Sequence, residues 1–188
     1  MKHLFNICMI LCSLIATTSC NNDIKESRLR QIDSLGTHLN HVREVVGAVD
    51  SQMIVNRIQQ MEETGSWVLD NLTDTLDPES GIILGDHLRC QKFYKKAILR
   101  YGQVKSELEF SEKQLATLRT DVKNSFYSEE EFTGYFKTEA ESLDRLVKAT
   151  DELEGTYESV NVSFERTKPG VTSLLDSIKS VIYSSEPI

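Results

Sequence analysis

Three long stripes of seam residues constrain this chain more than any other feature. Ile32, Leu35, Leu39, Val42, Val46, Val49 and Met53 follow one another in alternating steps of three and four. The same rhythm runs through Ile83, His87, Cys90, Tyr94, Ala97, Tyr101, Val104, Leu108, Ser111, Leu115, Leu118 and Val122. It returns in Phe132, Phe136, Glu139, Leu143, Leu146, Thr150, Leu153, Tyr157, Val160 and Phe164. A repeat of roughly 3.5 residues lays these side chains along one seam of a helix. Strands would alternate every second residue, and no long stretch does so.

Local signals mark the ends of the stripes. Asp77-Pro78-Glu79-Ser80 reads as a helix start, with Asp77 as N-cap and Pro78 in the first helical position. Ser128-Glu129-Glu130-Glu131 has capping-box spacing, and its acids suit the positive end of a helix. Helices are therefore predicted near 24–76, 78–124 and 129–167. The second would be about 70 Å long. Short connections force neighbours to run antiparallel. The predicted fold is all-α: an elongated antiparallel three-helix, coiled-coil-like bundle with a short C-terminal fourth helix.

That fourth helix, near 170–183, comes from a break and a continuation. Lys168-Pro169-Gly170 should end or kink the third helix, yet Thr167, Val171, Leu174, Ile178 and Val181 keep the seam going, so the last segment packs on the bundle end as a short helix or extends the third helix past a kink. Thr64-Gly65-Ser66 is expected to kink or end the first helix, leaving Ser66 to cap a short piece through Trp67. Residues 28–183 form a single bundle domain in this reading, and 184–188 are a tail.

Charge placement supplies a register. Arg89, Lys92, Lys95, Lys96 and Arg100 crowd the first half of the second predicted helix. Folding the third helix back about Asn124–Ser128 brings Asp151, Glu152, Glu154 and Glu158 alongside them. Folding the first helix about Asp77 brings Glu62 and Glu63 to the same half. Such pairs contribute little stability each, but they fix orientation.

Residues 1–19 are of another kind. Lys2 is followed by an almost wholly apolar run from Leu4 to Ile15, then by Ala16, Thr17, Thr18 and Ser19. Charge, apolar run and small residues in that order make a secretory signal. The run is too short to span a bilayer, which takes about 20 residues. The segment Leu14-Ile15-Ala16-Thr17-Thr18-Ser19-Cys20 resembles a bacterial lipoprotein signal. Thr17 stands where leucine is usual, as in the looser boxes common in Bacteroidota. The resemblance covers residues 1–23 and implies cleavage before Cys20, lipidation of its sulfur and a short tether over 20–27. It also implies a place in the cell envelope, on an outer-membrane lipoprotein, with the periplasmic and surface faces both open.

The four cysteines then cease to look like a disulfide set. Cys8 and Cys12 leave with the signal, Cys20 takes lipid, and Cys90 remains alone, so the fold must stand on packing. The whole chain carries a net charge of −8. That acidity and the lack of a basic stripe argue against nucleic acid as a partner.

Catalytic signatures are sparse. His38 and His41 share a helix face and are weak metal candidates, read first as solvated surface because neither has a glutamate three residues before it. His87 and Cys90 lie on the seam, where a thiol is ordinarily an inert small hydrophobe. Ser111, Glu139 and Thr150 are polar seam positions suited to fixing register. No haem-attachment or phosphate-loop motif is present, and no cofactor is expected. The expected function is a membrane-anchored, non-enzymatic structural or interaction module, with a protein partner or a second copy as its target. A small-ligand-binding or sensory bundle is the alternative, and an envelope toxin or immunity factor is a third. Ile54, Ile58, Trp67, Val68, Leu72 and Phe110 lie off the main seam and fit either a second contact face or the core.

Overall fold

The computed structural model describes the backbone of residues 2–72 and 75–184 and the side chains of 22–72, 75–182 and 184. The leader side chains and Cys20 lie outside the described residues. Four helices follow in order: α1 Lys2–Ala48, α2 Ser51–Asn71, α3 Pro78–Lys123 and α4 Glu129–Ser184. No strand occurs among the described residues. Among those residues, no helix is long and apolar enough to cross a membrane.

The predicted stripes become the buried lines of these helices. Ile32, Leu35, Leu39 and Val42 of α1 are buried, as are Tyr94, Ala97, Val104 and Leu108 of α3, and Leu143, Leu146, Leu153 and Val160 of α4. The chain divides into two units, one of residues 1–43 and 107–147, the other of 44–106 and 148–188.

In unit one, Arg43 pairs with Glu112 at 2.7 Å and Arg119 with Asp33, an antiparallel register of α1 on α3. The α3–α4 connection is a Schellman turn. Ser125 has φ 58°, its N–H bonds to the Val122 carbonyl, and the N–H of Phe126 reaches the Asp121 carbonyl at 3.0 Å. The predicted capping box forms next. Glu131 accepts from the Ser128 N–H at 2.9 Å, and the Ser128 hydroxyl accepts from the Glu131 N–H at 3.3 Å. The Ser128 N–H, and the Ser128 hydroxyl that also donates to this carboxylate at 2.8 Å, hold the Glu131 carboxyl below its ordinary pKa. A serine in the left-handed region carries a steric cost that glycine avoids. Ser125→Gly is expected to stabilise the chain by about 0.5–1 kcal/mol, read as a higher urea midpoint at unchanged slope.

In unit two, Lys95 pairs with Glu62 at 2.8 Å and Arg100 with Glu152 at 2.7 Å. Both pairs join the helices and residue sets expected from charge placement. Asp77 caps α3 as predicted, accepting from the Ser80 N–H at 3.0 Å.

Three expectations need correction here. The first predicted helix is two helices, broken at Val49–Asp50. Asp50 leaves helical geometry (φ −78°, ψ 90°), and its carboxylate accepts from the Met53 N–H at 2.8 Å. Its own N–H donates to the Tyr157 hydroxyl at 3.2 Å, so two of the N–H groups freed by the break, those of Asp50 and Met53, are satisfied. The break changes the helical phase. After it, Ile54, Met61 and Val68 carry the stripe in place of Met53, while before it the three–four step already runs Val42, Val45 and Val49 rather than through Val46.

Second, Gly65 does not end a helix. α2 runs through it, and a glycine inside a helix costs only about 1 kcal/mol. Third, no separate helix forms at 170–183: α4 is continuous to Ser184 with Pro169 inside it. The proline lacks the N–H that would bond the Glu165 carbonyl, a loss of about 3 kcal/mol. Burial offsets that loss, because Val171 packs with Val68 and Leu84, joined by Leu174 and Leu175.

Gly170 makes this packing close. A Cβ there would lie 2.9 Å from Cγ2 of Ile83, a branched side chain with little freedom to yield. Gly170→Ala is expected to cost about 1–2 kcal/mol by overpacking. In an Ile83→Ala background the same change should be neutral or stabilising. Equal effects in both backgrounds would contradict the close approach.

Candidate functional site

The polar centre of unit two is a cluster that draws on three helices. α2 supplies Arg57, three residues after buried Ile54 and four before buried Met61, so it occupies a seam position with a charged side chain. α3 supplies Tyr94, which is fully buried. α4 supplies Asn161, Phe164 and Glu165.

The Arg57 guanidinium donates to the Tyr94 hydroxyl and, at 2.8 Å, to Asn161 Oδ1. Its other terminal nitrogen pairs with the Glu165 carboxylate. The Tyr94 hydroxyl donates to the same Asn161 oxygen at 2.7 Å, which closes a triangle. The guanidinium lies over the Phe164 ring, 4.4 Å from its centroid, and 5.7 Å from that of Tyr94. Arg57 is 18% exposed in its side chain and Glu165 55%, so the carboxylate end meets water while the triangle is half-buried. Burial pushes the Tyr94 phenol up in pKa, partly opposed by Arg57, so it stays a neutral donor.

Beside this cluster, His87 Nδ1 lies 2.9 Å from the Thr167 hydroxyl oxygen. That hydroxyl also reaches its own helix's Ser163 and Phe164 carbonyls at 3.0 and 3.2 Å. With its single proton given to a carbonyl, the hydroxyl accepts from the His87 N–H. The imidazole packs against Phe164, with ring centroids 4.8 Å apart. Burial, helped by Lys168, lowers the His87 pKa. A histidine with a depressed folded pKa leaves stability intact above its unfolded value of about 6.5. Stability is lost as pH falls through that value, because the unfolded chain binds the proton more readily. The urea midpoint should therefore drop between pH 7.5 and 5. His87→Phe, which keeps the ring packing, should flatten that drop.

Cys90 is buried, and its thiol donates to the Asp86 carbonyl at 3.4 Å. Burial, with Asp86 second, pushes the thiol's pKa up, the opposite of what a thiolate nucleophile needs. His87 and Cys90 thus spend their polar hydrogens on separate helical partners. His38 is exposed and His41 half-buried. Glu139 is half-buried in unit one, its carboxyl pushed up by burial and by Glu107. Ser111 and Thr150 are buried. Of the off-seam residues, Ile54 and Val68 are core, Ile58, Trp67 and Leu72 are half-buried, and Phe110 stays exposed.

One groove accompanies these groups. α3 and α4 leave a space of about 850 Å³ in unit two, walled in part by Arg89, Cys90, Phe93, Lys96, Ser159 and Arg166. Arg89 is held by Asp86 at 2.8 Å. Among the described residues, Lys96 and Arg166 have no carboxylate at ion-pair distance.

Apolar spacing alone does not mark Arg57 or Asn161. The three–four step from Ile54 through Arg57 to Met61 was the available signal. Chemically, one guanidinium nitrogen, the Tyr94 hydroxyl and Asn161 Oδ1 are engaged with one another, which suits a lock between three helices rather than a reacting centre. No protein-family model matches the chain, and no curated protein or solved structure matches it either.

Proposed function

We propose that this chain is a lipid-anchored envelope protein whose helical bundle acts as a structural or protein-interaction module. The observation that carries the reading is the segment Leu14–Cys20, a signal-like run that ends in small residues and a cysteine. The engagement of Arg57, Tyr94, His87 and Cys90 in internal bonds supports a non-enzymatic role. One acyl chain gives marginal membrane binding and two or more give stable anchoring. An outer-membrane address fits the resemblance of the signal.

The intact mass of the protein purified from envelopes tests the anchor. The expected species lacks residues 1–19 and carries acyl groups on Cys20. A chain with a free thiol at Cys20 would contradict it. The second reading, a small-ligand binder, is favoured by the α3–α4 groove, where Lys96 and Arg166 would suit an anionic ligand with an apolar part lying on Phe93.

A further inference from the structure

We propose that the α3–α4 turn of unit one is a lipid-contacting surface, resting on the bilayer that holds the acylated Cys20. The inference depends on the lipid-anchor reading above. Three exposed apolar groups motivate it: Phe126 at 68% exposure, Tyr135 at 54% and Ile24 at 50%. Phe126 is held outward on a fixed backbone, because its N–H is tied to the Asp121 carbonyl and Ser125 before it takes the left-handed turn. The Tyr135 ring sits 5.0 Å from that of Tyr127. The Tyr127 phenol donates to Asp121 at 2.7 Å and is pushed up to about 12 in pKa, chiefly by that bond.

Reach from the anchor says what covers this surface. Arg28 of α1 donates to the Tyr127 carbonyl at 3.1 Å, and its guanidinium lies 4.9 Å from the centroid of the Phe132 ring. The Arg28 stretch of α1 is therefore at the same end as the turn, with the earlier residues of the helix leading away from it. Cys20 precedes Arg28 by eight residues. That is about 12 Å as helix and at most about 28 Å fully extended. An acyl group on Cys20 therefore leaves Ile24, Phe126 and Tyr135 within reach of the headgroup layer. Aromatic rings with one apolar and one polar end favour that layer. Glu129 and Glu130 are exposed at the start of α4 and would repel an anionic surface. The contact is thus apolar and suited to zwitterionic lipid.

The test uses the lipidated full-length product in phosphatidylcholine vesicles containing lipid brominated near the headgroup. The wild type, with Trp67 its single tryptophan, gives the baseline. Phe126→Trp should add emission that the brominated lipid quenches at least two-fold. Phe110→Trp, an exposed site on α3 about 24 Å along the helix direction from residue 126, should add emission that is not quenched. Vesicle-bound protein with no quenching at position 126, or equal quenching at 110, overturns the proposal while leaving the anchor intact. Protein that fails to float with the vesicles overturns the anchor reading and this proposal together. Quenching at 126 that is replaced by crosslinking of the turn to another protein assigns the surface to a protein partner and also overturns it.

Discussion

Arg57→Ala is expected to destabilise the chain by about 2–4 kcal/mol. Three losses combine in it. The charge-assisted bonds to Tyr94 and Asn161 disappear, and bonds to charged groups contribute about 1.5–3 kcal/mol. The guanidinium also leaves the Phe164 ring, where a partly desolvated cation–π contact is worth about 0.5–2 kcal/mol. Its apolar stem also leaves the helix face that Ile54 and Met61 share. The Glu165 pair adds little, because that carboxylate is more than half exposed. Arg57→Met keeps the stem and ring packing while removing the donors, and should cost about half as much. Arg57→Lys keeps the charge but loses the fork, so it should fall between wild type and alanine. Urea melts at pH 7 measure all three. A loss below about 0.5 kcal/mol in the alanine variant would mean the cluster does not hold the three helices together.

Cys20→Ala should move the protein out of the membrane fraction almost completely. The apolar run ahead of Cys20 is too short to span a bilayer, and no described helix supplies a span. Binding through the bundle surface alone would be weak and reversible, comparable at most to one acyl chain. Fractionation of cells expressing wild type and variant at equal levels reads the outcome, with circular dichroism confirming that the variant stays helical. Retention of the variant in membranes at the wild-type level would remove the anchor from the account.

What could be read from the sequence was what local chemistry specifies. The second and third three–four stripes, the first as far as Val42, the Asp77 cap and the Ser128–Glu131 box each depend on residues within a few positions, and each forms largely as expected. The Lys95–Glu62 and Arg100–Glu152 pairs were also legible, because antiparallel folding fixes which charges meet. The missed features depend on partners far along the chain. The break at Asp50 is completed by Tyr157 from another helix. The run of α4 through Pro169 is held by Val68 and Leu84, so tertiary burial overrides a strong local breaker. Arg57 was hidden because stripes were read by hydrophobicity, and a guanidinium packed on Phe164 behaves there as a seam residue.

The most direct measurement is site-specific photocrosslinking in intact envelopes, with the photoreactive residue placed in turn at Leu69, Leu99 and Val162. These apolar side chains are 84%, 70% and 70% exposed, so replacement leaves the core untouched. An interaction module predicts one discrete protein adduct, to a partner or to a second copy, at a subset of these positions. Absence of any protein adduct at all three, together with a small molecule retained by the purified protein and lost on Lys96→Glu, would contradict it in favour of ligand binding.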